Sequence, residues 1–175
     1  ADSVRAHNKM TNWTIPNALP IIGNESDPPF DPYLLGVWLG DGDKTTPAIT
    51  SHIDDVPHYC IELARIGFSY RVRLPSPKAR IGSPETRIIS FSKTDGGDNR
   101  WMKDSARKQL LNLGVLFNKH VPSSYFRMKA DVRMALLRGL LDTDGTIAGG
   151  QAIFCNTNKN LIDGVYELVV SLGGK

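Results

Sequence analysis

"LLGVWLGDG" (residues 34–42) and "LRGLLDTDG" (residues 137–145) share leucine at the first position, glycine at the third, aspartate at the eighth and glycine at the ninth. Each stretch is an apolar run that closes on an acidic residue and a glycine, which predicts a helix that ends at the glycine. The residues after each copy predict a strand and then another helix. The chain therefore holds two copies of one motif, about 100 residues apart.

Small residues recur at matching places in the two predicted helices. Gly36 and Gly40 are four residues apart, and so are Gly139 and Thr143, so each pair lies on one face of its helix. Small residues at this spacing allow two helix backbones to approach closely. We predict that these four residues form the interface between the two motif helices.

The two motif aspartates are the candidate catalytic residues. Packing the small-residue faces together brings Asp41 and Asp144 to one place, at the C-terminal ends of both helices. The carboxylates there repel each other and face the negative ends of two helix dipoles. A hard divalent cation such as Mg²⁺ relieves that repulsion and can bridge carboxylates to the phosphates of a substrate. Asp41 and Asp144 are thus predicted metal ligands for phosphodiester cleavage.

The repeated motif resembles the signature nonapeptide of the LAGLIDADG homing endonucleases, and two copies in one chain are similar to the single-chain members of that family. The resemblance implies an α+β fold in which pseudo-twofold αββαββα repeats present a saddle-shaped DNA-binding sheet. It also implies a nuclease that uses Mg²⁺ or Mn²⁺ to cut double-stranded DNA at a specific site, with Asp41 and Asp144 as catalytic metal ligands. The resemblance places Lys93, in "ISFSKTD", near the metal centre, although an ordinary DNA-contacting lysine fits that position equally well.

The stretches "WTIPNALPI" (residues 13–21) and "NTNKNLIDGVYELVVSLGG" (residues 156–174) resemble, more narrowly, the endonuclease region of bacterial inteins lodged in replicative DNA helicases. This resemblance implies an intein splicing domain and a host protein as partners in cis, the whole intein being self-splicing. Ala1 and Lys175 are not the terminal residues that splicing requires, so the chain is not expected to splice alone.

The resemblance divides the chain into three parts. Residues 1–31 are expected to be a linker from the splicing domain, residues 32–129 the first LAGLIDADG repeat, and residues 130–175 the second. The second repeat is expected to be incomplete, because the thirty residues after its motif suffice for one strand, in "QAIFCNT" (residues 151–157), and one helix.

Charge is unevenly distributed along the chain. The formal net charge is +3, but residues 65–133 hold fifteen Lys and Arg against five Asp and Glu. Such segregation indicates a binder of the phosphate backbone of DNA. "SYRVRL" (residues 69–74) alternates, which predicts a half-exposed strand with its arginines on one face and with Val72 and Leu74 on the other. The candidate DNA-contacting residues of the first repeat are Arg71, Arg73, Arg80 and Arg87.

The composition is that of a globular chain, with 41% hydrophobic and 22% charged residues among 175. No apolar run approaches the ~20 residues of a membrane span, and the N-terminal residues lack the apolar stretch of a secretory signal. We therefore expect a bacterial-type intracellular, cytoplasmic protein that is a monomer and has no membrane partner. Cys60 and Cys155 lack zinc-ligand spacing and are expected to be core thiols.

Two other interpretations fit parts of the sequence. Asp-Gly at a helix end is often only a cap and turn, and a remnant that binds DNA without cutting it would keep the same scaffold. "LLDTDGTI" (residues 140–147) also resembles the haloacid dehalogenase phosphatase signature, with Asp142 as nucleophile and Asp144 as acid/base. That signature must end a parallel strand, whereas helical periodicity precedes it here. Because Asp142 has Leu39 at the matching position of the first copy, we expect Asp142 to be structural.

Overall fold

In the computed structural model, the described residues are 18–78, 83–92 and 105–174, and they form five helices and two small antiparallel sheets. The elements are α1 (Pro32–Asp41), β1 (Ala48–His52), α2 (Val56–Arg65), β2 (Ser69–Arg73), β3 (Thr86–Ser92), α3 (Ala106–Asn112), α4 (Ala130–Asp144), β4 (Gly145–Ala148), β5 (Gln151–Phe154) and α5 (Lys159–Ser171). The predicted α+β fold class is confirmed. In the described part of the chain, no helix has the length and apolar composition needed to span a membrane.

Helices α1 and α4, which carry the two motifs, pack directly against each other at the centre of the molecule. Asp31 caps α1 by accepting a hydrogen bond from the Leu34 backbone N–H at 2.9 Å, and Pro32 occupies the first helical position, where no N–H is needed. Every residue from 34 to 39 is buried, so α1 is enclosed on all sides. A helix that is apolar all round belongs in a core, and α1 is the centre of this one.

The contact between α1 and α4 is made by backbone atoms. A Cβ added to Gly36 would lie 2.3 Å from the Leu136 carbonyl oxygen, and one added to Gly139 would lie 2.2 Å from the Tyr33 carbonyl oxygen. One turn further on, a Cβ on Gly40 would lie 2.0 Å from Thr143 Oγ1. The structure therefore brings together all four residues for which the sequence predicted a helix interface.

The first sheet has the strand order β1-β3-β2, with β3 in the centre. Ile49, Ile89 and Val72 are register partners across the three strands, and the first two are fully buried. Val72 is 41% exposed and Leu74 is 51% exposed, so the prediction of a half-exposed β2 is wrong. Strand β1 is also at an edge of the sheet, yet three of its five residues are buried, so edge position alone does not account for the exposure of β2.

The second motif is followed by a hairpin, whereas the sequence predicted a single strand there. Strands β4 and β5 pair antiparallel around Gly149 and Gly150, which have φ angles of +58° and +76°. Two successive glycines with positive φ form the tight turn that matches the twist of a hairpin. The strand β4 escaped prediction because its four residues are too few to show alternation, although Gly-Gly between two short apolar runs is itself a hairpin signal.

The segment before α1 is attached to α4 and α5. The Ile21 backbone N–H donates to the Ser171 carbonyl at 2.9 Å, and the buried Arg133 guanidinium donates to the carbonyls of Ser171 and Ile21. Phe30 is buried, and its carbonyl accepts from the Tyr125 hydroxyl at 2.7 Å.

The two cysteines differ in their surroundings. Cys60 is buried in α2, as expected of a core thiol, and Cys155 is exposed. The expectation of a core position is therefore wrong for Cys155. It follows the short hairpin strand β5, whose residues are mostly exposed.

Candidate active site

The paired motif helices end side by side, and their last residues are the two aspartates. Asp41 is the final residue of α1 and Asp144 the final residue of α4. A Cβ on Gly40 would lie 3.1 Å from Asp144 Oδ2, so the second carboxylate sits against the last turn of the first helix. Both aspartates are partly buried. The close backbone contact thus puts two acidic side chains at one end of the helix pair.

The Asp41 carboxyl resists ionisation. Burial is the first cause and the negative charge of Asp144 the second, and together they raise the pKa of Asp41 from 3.8 to about 6. Asp55, at the start of α2, acts in the same direction, while the nearby Lys119 ammonium opposes it. Such a site gains stability from any positive charge that enters it.

Lys119 supplies one such charge from the loop between α3 and α4. Its ammonium donates to the Gly40 carbonyl at 2.9 Å and lies 5.3 Å from the centroid of the Trp38 ring. Burial lowers the pKa of Lys119, against the opposing pull of Asp41 and Asp144. Sequence analysis missed this residue. Its immediate neighbours in "VLFNKHV" (residues 115–121) are the polar Asn118 and His120, so no local pattern marks it.

The second aspartate has a different partner. Asn156 Nδ2 donates to Asp144 Oδ2 at 2.7 Å, and Asn156 Oδ1 accepts from the Asn158 backbone N–H at 2.7 Å. Asp144 is therefore held by a neutral amide, while Asp41 lies near a cation. Sequence analysis missed Asn156 as well, because twelve residues separate it from the carboxylate that it binds.

Asp142 faces away from this centre and is exposed. Its Oδ2 accepts from the Tyr33 hydroxyl at 2.8 Å, and His58 Nε2 lies 2.8 Å from the same hydroxyl oxygen. Burial and the hydrogen bond to Asp142 raise the pKa of Tyr33. A hydroxyl that stays protonated is a lasting donor, so Asp142 links α4 to α1.

Two of the four candidate DNA-contacting arginines share a face of the first sheet. Arg71 and Arg73 are both exposed on β2, and their register partners are Ser90 and Ile88. Arg87 has the opposite parity on β3, and its guanidinium donates to the carbonyls of residues 84 and 86. The remaining candidates, Arg80 and Lys93, lie outside the described residues.

The carboxylate oxygens of Asp41 and Asp144, at the ends of the paired helices, are ligands that suit a hard cation. Among residues 18–78, 83–92 and 105–174, no group of three or more His, Cys, Asp and Glu is arranged to hold a metal ion. Two carboxylates are nevertheless enough for Mg²⁺, which keeps several waters and takes substrate phosphates as further ligands. A phosphatase of the DxDGT type fits poorly, because Asp142 and Asp144 end a helix and the described sheets are antiparallel.

Comparisons with known proteins found a family match and a relative. Residues 131–175 match a family described as LAGLIDADG-like domain. The chain is also 36% identical over 143 residues to the replicative DNA helicase DnaB of Mycobacterium intracellulare. The match covers 81% of this chain but only 19% of that relative. The predicted resemblance, to a LAGLIDADG protein of the kind associated with replicative helicases, is confirmed.

Proposed function

We propose that the chain is the endonuclease region of an intein lodged in a replicative DNA helicase, and that it cleaves double-stranded DNA with Mg²⁺ or Mn²⁺. The observation that carries the proposal is the backbone contact of α1 and α4, which ends in Asp41 beside Asp144. Residues 32–129 and 130–175 are the two repeats, and residues 1–31 lead from the splicing domain. The helicase relative and the small share of it that is matched support an insertion in a host protein.

Each residue of the site has a part in this proposal. Asp41 and Asp144 would hold the divalent cation, whose charge would relieve a carboxylate repulsion that Lys119 offsets only in part. When bound, the cation supplies positive charge that activates a water and stabilises the leaving oxygen. Lys119 provides a fixed positive charge next to Asp41, suited to orient a scissile phosphate.

The sheet of the first repeat is the proposed DNA-contacting surface. Arg71 and Arg73 are exposed on one face of its edge strand and none of the described carboxylates pairs with them. Phosphate contacts of this kind position a protein on DNA without reading its sequence. The chain would act as a monomer, since both aspartates come from one polypeptide.

The test is cleavage of a plasmid that carries the uninterrupted host-gene junction, with and without Mg²⁺. We expect metal-dependent nicked or linear product from the wild type, and a loss of about 10²-fold or more for Asp41→Asn and Asp144→Asn. Asp142→Asn is the matched control, because it changes the same motif but keeps an acceptor for Tyr33. If the wild type binds DNA with a steep salt dependence yet cuts with neither metal, the chain is a DNA-binding remnant and the proposal fails.

A further inference from the structure

Two asparagines after β5 connect the second aspartate to the loop that carries the lysine. Asn156 binds Asp144 through its amide nitrogen and the Asn158 backbone through its amide oxygen. Asn158 Nδ2 in turn donates to the Lys119 carbonyl at 2.8 Å, across 39 residues of sequence. The connection therefore runs from Asp144 through Asn156 and Asn158 to Lys119.

The chemistry of the contacts fixes the orientation of both amides. Asn158 Oδ1 faces the Asn160 backbone N–H at 3.0 Å, and its Nδ2 faces a carbonyl. Rotating the amide by half a turn would set oxygen against oxygen and N–H against N–H. The same holds for Asn156, whose flipped amide would present its oxygen to a carboxylate. Each side chain thus donates on one side and accepts on the other.

Capping of α5 explains only half of what Asn158 does. Its Oδ1 is the N-cap acceptor of the helix, a part that Asp or Ser performs equally well. Its Nδ2, which reaches Lys119, is not needed for a cap. Asn158 is partly buried, and so is Lys119.

We propose that Asn158 is a positioning residue, whose amide nitrogen holds the backbone of Lys119 so that the ammonium stays on the Gly40 carbonyl beside Asp41. The inference rests on the proposed function, because it names a residue that arranges the same site. The second repeat then controls the lysine that serves the aspartate of the first repeat. Asn156 hydrogen-bonds Asp144 from the same turn that contains Asn158. This turn therefore contacts both Asp144 and the backbone of Lys119.

The first measurement is independent of cleavage. Asn158→Asp and Asn158→Ser keep a helix cap but lose the donor to Lys119. We expect an amine-acetylating reagent to modify Lys119 about fivefold faster in both variants, the factor that corresponds to one lost hydrogen bond. Peptide mass spectrometry gives the rate, with Lys129 of the same chain as internal reference. Asn160→Asp, which adds a charge in the same turn without touching the connection, should label as the wild type does.

The second measurement is single-turnover cleavage with saturating DNA and metal. We expect a loss of about fivefold for Asn158→Ser, unchanged metal-free DNA affinity, and no further loss when Lys119→Met is already present. Unchanged Lys119 labelling in both Asn158 variants overturns the inference, and so does an equal loss of rate in the Lys119→Met background. If the wild type does not cut at all, the proposed function fails on its own and the labelling still decides the role of Asn158.

Discussion

The two motif copies are alike where their backbones meet and different where their side chains end. Gly36 and Gly139 make the same contact, each against the backbone of the other helix. At the helix ends, Asp41 has Lys119 nearby and resists ionisation, whereas Asp144 is bound by the amide of Asn156. The two motif helices therefore pack symmetrically, but the carboxylates at their ends have different partners.

A second difference lies two residues earlier in each helix. Leu39 of the first copy is fully buried, while its counterpart Asp142 is exposed and bonded to Tyr33. The same motif position packs in the core in the first copy and joins two helices by a hydrogen bond in the second copy. Duplicated motifs thus keep what the helix contact demands and diverge wherever a side chain reaches a different neighbour.

The largest expected effect tests the matching glycine contacts between α1 and α4. Gly36→Ala and Gly139→Ala each place a methyl group within 2.3 Å of a carbonyl oxygen of the opposite helix, which cannot move without separating the pair. We expect each to lower the free energy of unfolding by about 2–4 kcal/mol, measured by urea denaturation. Arg138→Ala on the exposed face of α4 is the control. Unequal losses at the two glycines would break the symmetry inferred from the contact.

The next prediction tests the difference between the partners of Asp41 and Asp144 at the two helix ends. Lys119→Met removes the charge beside Asp41, and we expect cleavage to slow by about 100-fold. Because the Lys119 ammonium binds the Gly40 carbonyl next to Asp41, we expect its loss to slow the cutting of one DNA strand more than the other, so that nicked plasmid accumulates before linear product. Lys129→Met, which removes a partly exposed lysine that pairs with Glu25, is the control. Equal slowing of both strands would mean that Lys119 serves the two carboxylates alike.

A smaller effect concerns pH. The folded-state pKa of Asp41 is raised from 3.8 to about 6, so the metal-free protein should lose stability as the pH rises through that range. The expected loss is about 1–2 kcal/mol after allowance for solvent screening of a partly exposed group. Denaturation at pH 4 and pH 7 measures it. Asp41→Asn should abolish this contribution, and Asp144→Asn should reduce it, because removing the second charge lowers the pKa of Asp41.

The smallest effect concerns the link between Tyr33 and Asp142. Tyr33→Phe should lower the free energy of unfolding by about 1 kcal/mol, the value of one partly exposed hydrogen bond to a charged group. Tyr166→Phe, on an exposed part of α5, is the control. If Tyr33→Phe lowers the free energy of unfolding by as much in an Asp142→Leu background as in the wild type, the tyrosine acts through His58 instead. The hydrogen bond to Asp142 would then contribute nothing to stability.

The pairing of α1 with α4 could be predicted because it depends on local pattern. Glycines four residues apart, an apolar run and a terminal Asp-Gly are all visible within nine residues of sequence. The same pattern brings Asp41 and Asp144 together, so half of the candidate site follows from two short stretches. The exposure of β2 did not follow, because alternation in a strand does not show whether another element covers its apolar side chains.

The remainder of the site depends on contacts between distant parts of the chain. Lys119 lies 79 residues from the carbonyl that it binds, and Asn158 lies 39 residues from Lys119. Neither belongs to a periodic element whose spacing would mark it, since both are in loops or at a helix boundary. Sequence analysis favoured Lys93 for the basic role on the strength of resemblance, and that residue remains a prediction.

The glycine contact also bears on how freely the rest of this protein can change. Where Gly36 meets Gly139, the separation of the two helices is fixed by the van der Waals radii of backbone atoms, which every amino acid shares. Core residues elsewhere can be exchanged for others of similar volume without altering that separation. Substitutions of that kind in the core would therefore leave the spacing of the Asp41 and Asp144 carboxylates unchanged.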